Sequence, residues 1–131
     1  MRWPVTLMAG VASDVPPLEA DPVRLRQVLA ILVTNALQHT PHGGSVQIRG
    51  GLDGGDPRSV EVSVSDTGTG ISAEDLPRVF ERFYKSKGSK GSGLGLPIAR
   101  NLVLLHGGEI TAASTPGAGT TVRFTLPIGA V

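Results

Sequence analysis

Four groups of residues have types and spacings that could do chemistry. Asn35 lies in the run Ile31-Leu-Val-Thr-Asn-Ala-Leu-Gln-His-Thr40, with apolar neighbours three and four residues away. An amide there is either helix filler or a ligand. Asparagine is a mediocre helix former, and its carbonyl oxygen is a hard donor suited to magnesium. Asp66-Thr-Gly-Thr-Gly70 follows an alternating run at 60–65. A carboxylate at a strand end can accept a hydrogen bond from an exocyclic amine such as that of adenine, and the two glycines let backbone pass close beside a flat ring. The plainer alternative is an ordinary Asp-x-Gly turn. Gly91-Ser-Gly-Leu-Gly-Leu96 runs into a segment that begins with Pro97. Glycine-rich backbone at a helix start offers unpaired N–H groups and the positive end of the dipole to a phosphate. A flexible linker is the competing reading. The spacing is neither GxGxxG nor a Walker A loop, since Leu94 stands where the lysine belongs. Finally, Phe80-Glu-Arg-Phe-Tyr84 lies between the two glycine motifs. Phe80 and Phe83 are core plugs on one reading and the anchor of a moving loop on the other.

The elements that must position these residues are legible in the periodicity. Asp21-Pro22 predicts an N-cap with proline at the first helical position. Leu25, Val28, Leu29, Leu32, Val33 and Ala36 recur at helical spacing, so 22–39 is predicted as an amphipathic helix. Thr40-Pro41-His42-Gly43-Gly44 ends it. Residues 3–9 are predicted as a short edge strand, and 45–50 and 60–65 as strands, with a turn-rich link over 50–57. Ser72-Ala-Glu-Asp75 resembles a capping box that opens a short helix to Phe80. Residues 85–93 are lysine, serine and glycine only and are expected to form a loop. A second long helix is expected over 97–106, ended by Gly107-Gly108. Two terminal strands, 109–114 and 120–126, flank a Pro-Gly turn. These elements read as an α/β two-layer sandwich, one sheet and one helical layer.

At 131 residues the chain is read as one domain, and 40% apolar composition argues against disorder. Net charge is +1, which gives no electrostatic footprint for duplex DNA or an anionic membrane. Lys85, Lys87 and Lys90 form a local basic patch. Cysteine is absent, so disulfides and thiolate metal sites are excluded. No apolar run approaches the roughly 18 residues that a spanning helix needs, and no signal peptide is visible.

The order Asn35, Asp66-x-Gly-x-Gly70, Phe80-x-x-Phe83, Gly91-x-Gly-Leu-Gly-Leu96 and Gly117-x-Gly119-Thr120 resembles the catalytic domain of sensor histidine kinases. It matches that family's N, G1, F and G2 boxes and its terminal Gly-x-Gly-Thr. Each box is weak alone, and the five in order, from Asp21 to Leu126, are specific. The resemblance implies the ATP-binding fold shared with gyrase, Hsp90 and MutL, a mixed, mostly antiparallel sheet of about five strands against three helices. It implies ATP and Mg²⁺ as cofactors. Asp66 would take the adenine amine, with Gly68, Gly70 and Ile71 beside the base and Thr120 near it. Asn35 would hold Mg²⁺. Gln38 and His39 follow on the same helix. Phe80 and Tyr84 would border the lid over 85–92, and Lys85, Lys87 or Lys90 would neutralise phosphate charge. Gly91, Gly93, Leu94, Gly95 and Leu96 would cradle phosphates. The implied reaction is γ-phosphoryl transfer to a histidine on a dimerisation domain in the same or another chain, with a response regulator engaged indirectly. That reaction depends on positioning and charge neutralisation. No catalytic side chain within the chain is assigned. The isolated domain is expected to be monomeric and cytoplasmic, and the full-length protein membrane-anchored or not.

Three departures qualify the resemblance. Where these kinases carry Asn, and hydrolysing relatives Glu, one turn before Asn35, this chain has Ile31. Isoleucine cannot activate water, which argues against a gyrase- or Hsp90-type ATPase. Gln38 replaces a basic residue, and His39 is either a phosphate contact or a helix C-terminal histidine favoured by the dipole. His39, His42 and His106 do not fit a phosphoacceptor hairpin, so the acceptor is expected elsewhere. A catalytically weak nucleotide-binding or scaffold module is the competing reading, and an anti-sigma serine kinase ranks below both.

Overall fold

The computed structural model describes residues 5–13, 15, 20–82 and 95–128. Five strands and two α-helices account for most of them. In chain order these are β1 (Thr6–Val11), α1 (Pro22–His39), β2 (Ser45–Asp53), β3 (Asp56–Asp66), α2 (Gly95–Leu105), β4 (Ile110–Thr115) and β5 (Gly119–Pro127), with a single 3₁₀ turn at Leu76–Arg78.

Helix α1 begins and ends where its sequence says. Asp21 Oδ1 accepts from the N–H groups of Val23 and Arg24 at 3.0 and 3.3 Å, satisfying donors that have no partner within the helix. The Thr40 hydroxyl donates to Ala36 O at 2.7 Å and closes the other end. Between them Val28, Leu32 and Ala36 face inward. Helix α2 presents Pro97, Ala99 and Val103 to the same core. His106 clips the two helices together: its Nδ1 lies 2.8 Å from Leu102 O, and its Nε2 accepts from Asp21 N at 3.3 Å.

The sheet runs β1-β2-β3-β5-β4. β1 pairs with β2 in parallel, and all other pairings are antiparallel. Strand alternation therefore sends Val46, Val60, Val64, Val122, Phe124 and Leu126 to the helical side, where all are buried. Both helices lie on that side and share one core with Val46, Val64, Val122, Phe124 and Leu126. The two-layer α/β sandwich with a mixed five-stranded sheet is thus as expected.

The expectation of three helices needs correcting among the described residues. Only α1 and α2 are α-helical; the capping box at Ser72 opens a 3₁₀ turn. Ser72 does cap, with Asp75 N donating to its Oγ at 3.2 Å. Pro77, however, has no N–H to return to Ala73, so α-helical bonding cannot propagate past it. The chain continues with i→i−3 bonds, Arg78 N to Asp75 O at 2.8 Å and Glu81 N to Arg78 O at 2.9 Å.

Candidate functional site

The inner face of the sheet is apolar except along one cross-strand row. Register places Val46, Asp66, Thr120 and Ser114 side by side on β2, β3, β5 and β4. Asp66 and Thr120 are buried, at 8% and 7% exposure. Two buried polar residues beside each other on an otherwise hydrocarbon surface call for internal partners. Asp66 Oδ1 accepts from Gly68 N at 2.8 Å and from Thr120 N at 3.2 Å. No described residue donates to Asp66 Oδ2. Burial raises the carboxyl above its ordinary range; the N–H bonds from Gly68 and Thr120, then the charge of His39, act in the opposite direction without cancelling it. A half-satisfied carboxylate held in a buried place is suited to receive one more donor.

The glycines after Asp66 are required by the protein's own packing. A Cβ on Gly68 would overlap the carbonyl oxygen of His39 at the end of α1. Gly70 has φ +77°, and a Cβ there would overlap the carbonyl of Thr115. The turn is therefore wedged between the end of α1 and the β4–β5 hairpin. It is also tied to the start of β2 and to the hairpin: Thr67 N donates to Ser45 O at 3.1 Å, and Gly117 N donates to Thr69 O at 2.7 Å. Ile71 N donates to Ser114 Oγ at 2.7 Å.

Asn35 and His39 lie on the half-buried face of α1, and Gln38 is exposed. His39 Nδ1 lies 2.8 Å from Asn35 O. The Asn35 side-chain amide bonds to no described residue, so its carbonyl oxygen is available to a hard cation. No cluster of three or more His, Cys, Asp or Glu suited to a metal occurs among the described residues. An ion here would take Asn35 as a protein ligand and the rest of its shell from phosphates and water, the usual pattern for magnesium with nucleotides. Ile31, one turn earlier, faces the start of α2: an ideal Cβ on Gly95 would sit 3.3 Å from Ile31 Cγ2. Gly95 and Leu96 form the first turn of that helix, so Ile31 is an apolar support for a helix N-terminus.

Phe80 is half-buried, packs on the core and lines a groove of about 710 Å³ with Pro77, Pro97, Arg100 and Ile110. Tyr84, Lys85, Lys87, Lys90, Gly91, Gly93 and Leu94 lie outside the described residues, as does Phe83. One residue that sequence reasoning missed is Ser114. It bonds Ile71, Gly119 and Thr120 together. The available signal was a hydroxyl at an inward position of an alternating strand, which only the strand register turns into information.

Comparison with known proteins identifies the family and the fold. Residues 20–130 match the family described as histidine kinase-, DNA gyrase B-, and HSP90-like ATPase. The chain is 42% identical over 132 residues to the non-motile and phage-resistance protein of Caulobacter vibrioides, covering 92% of this chain and 16% of that protein. It is 39% identical over 125 residues to the adaptive-response sensory kinase SasA of Synechococcus elongatus, covering 93% of this chain and 32% of the relative. The chain thus spans a third or less of the length of these relatives. Among solved structures, full-length ShkA in complex with AMPPNP superposes with a TM-score of 0.85 at 31% identity, covering 97% of this chain and 26% of that one.

Proposed function

The chain belongs to the family of histidine kinase-, DNA gyrase B- and HSP90-like ATPases, and from that premise we propose that it is the ATP-binding catalytic domain of a two-component sensor kinase. In this reading it delivers the γ-phosphoryl group of ATP to a histidine on a dimerisation domain, in the same chain or another, and a response regulator then receives the group. The observation that carries the reading is the buried Asp66 carboxylate, with one oxygen engaged by two backbone N–H groups and the other without a donor among the described residues.

In this reading the chain's own residues divide the work. Asp66 orients the base, and the Gly68–Gly70 turn beside it is held rigid by α1 and the β4–β5 hairpin. Asn35 would hold Mg²⁺, which would supply charge neutralisation to the triphosphate. The first described turn of α2, at Gly95 and Leu96, presents the positive end of the helix dipole to phosphate oxygens. By the resemblance to the sensor kinases, Lys85, Lys87 or Lys90 would neutralise phosphate charge, Gly91 and Gly93 would cradle phosphates, and Tyr84 would border the lid. Phosphoryl transfer needs little covalent chemistry from the protein, so positioning and charge neutralisation are the chain's contribution. Ile31 offers no carboxylate to activate water one turn before Asn35, which favours transfer over hydrolysis. No helix among the described residues is long and apolar enough to cross a membrane. We place the domain in the cytoplasm as a monomer.

Calorimetric titration of ATP with and without Mg²⁺ tests the site. Wild type is expected to bind with Kd between micromolar and millimolar, about −8 to −4 kcal/mol. Asn35→Ala is expected to remove the Mg²⁺-dependent part of that affinity and leave metal-free binding unchanged. Addition of a sensor-kinase acceptor hairpin with γ-labelled ATP then reads phosphotransfer. ATP binding with no transfer to any such hairpin would leave a nucleotide-binding scaffold.

A further inference from the structure

Ser114 Oγ makes three contacts: Ile71 N at 2.7 Å, Gly119 O at 2.9 Å and Thr120 Oγ1 at 2.8 Å. A hydroxyl has one proton and two lone pairs. The Ile71 amide only donates and the Gly119 carbonyl only accepts. The Ser114 proton therefore goes to Gly119 O, and its lone pairs receive Ile71 N–H and the Thr120 hydroxyl. No other assignment satisfies all three contacts. The Thr120 proton is thereby turned toward Ser114, and Thr120 Oγ1 keeps only lone pairs for any other neighbour. Thr120 sits next to Asp66 in the same inner row, and its backbone N–H bonds Asp66 Oδ1.

We propose that Ser114 is a specificity-determining positioning residue of the nucleotide site: by holding Thr120 as an acceptor beside the Asp66 carboxylate, it favours a 6-amino purine and rejects a 6-oxo purine. The inference rests on the ATP-binding reading above. A 6-oxo group brought to this edge meets acceptors and leaves buried lone pairs unpaired, which is what makes such a site selective. Without Ser114 the Thr120 hydroxyl rotates freely and can donate to an oxo group, so the selectivity falls. Ser114 also ties the turn at Ile71 to the β4–β5 hairpin, so a purely structural role would weaken all purine nucleotides alike.

The discriminating quantity is the ratio of ATP to inosine triphosphate affinity, measured by calorimetry on wild type, Ser114→Ala, Ser114→Thr and Thr120→Val. These two nucleotides differ only at the C6–N1 edge of the base. Ser114→Ala is expected to lower the ratio about tenfold, the size of one neutral hydrogen bond, and Ser114→Thr, which keeps the hydroxyl, to restore it. Equal loss of both nucleotides, with the ratio unchanged, overturns the proposal. If Ser114→Ala does not fold, Thr120→Val decides. That variant leaves the Ser114 bonds to Ile71 and Gly119 available, and an unchanged ratio again overturns the proposal. Wild type that binds no ATP defeats the nucleotide-site reading and this inference together. Wild type that binds ATP, with variants of unaltered ratio, defeats this inference alone.

Discussion

The two ends of the site are built differently. At the β3–β5–β4 end, Asp66 Oδ1, the Gly68 and Ile71 amides, Ser114 and Thr120 are all bonded to one another. Along α1 the Asn35 amide bonds to no described residue, and Gln38 is exposed. Burial explains the contrast. Buried polar groups must find partners inside the protein, whereas groups that water can reach are able to wait for a ligand. The β3–β5–β4 end is thus bonded within the protein apart from Asp66 Oδ2, whereas the α1 end keeps the Asn35 and Gln38 side chains for a ligand.

Substitutions at the two ends should therefore fail in different ways. The largest effect is expected at Gly70→Ala, where positive φ and overlap with Thr115 O combine. A loss of about 2–4 kcal/mol in folding stability is expected, read by denaturant melts. Gly43→Ala is the control, with φ +89° but open space around its Cα. It should lose only about 1–2 kcal/mol, and equal losses would show that packing of the turn is not what matters.

Asp66→Asn comes next and separates binding from folding. The amide oxygen can still accept from Gly68 and Thr120, but the charge is gone. ATP affinity is expected to fall about 10- to 100-fold, the range for a charged hydrogen bond. Stability should move the other way. Because burial raises the Asp66 pKa, the folded state holds that proton more tightly than the unfolded chain. Its contribution is present below the ordinary carboxylate pKa and is lost as pH rises through the raised one. Asp66→Asn is therefore expected to melt at or above the wild-type temperature at pH 7, the gap closing as pH falls through the carboxylate range. A variant that melts well below wild type at pH 7 would break the picture of a carboxylate kept for binding at a cost in stability.

The smallest effect is expected at the exposed end. Gln38→Lys restores a positive charge beside the proposed phosphate position. A gain in ATP affinity of about two- to fivefold is expected, fading as salt is raised. No gain at low ionic strength would place Gln38 away from the phosphates.

Much of this protein was determined by the sequence alone, wherever the signal lies within one turn or a few neighbouring residues. The Asp21 cap, Pro22 and Thr40 mark α1 at the ends it has, and the alternation of Val60, Val62 and Val64 marks β3. The order of Asn35, Asp66-x-Gly-x-Gly70 and Gly119-Thr120 identified the family before any fold was drawn. Pro77 was legible too, but the capping box before it read as a helix, because a pattern of side chains does not weigh a missing N–H at the fifth residue. Tertiary structure alone decided the parallel β1–β2 pairing and the meeting of Asp66 with Ser114 and Thr120, 48 and 54 positions further along the chain. It also showed that Gly68 and Gly70 are wedged against α1 and the hairpin. Those facts depend on strand register, which joins distant residues through backbone hydrogen bonds that every sequence can make.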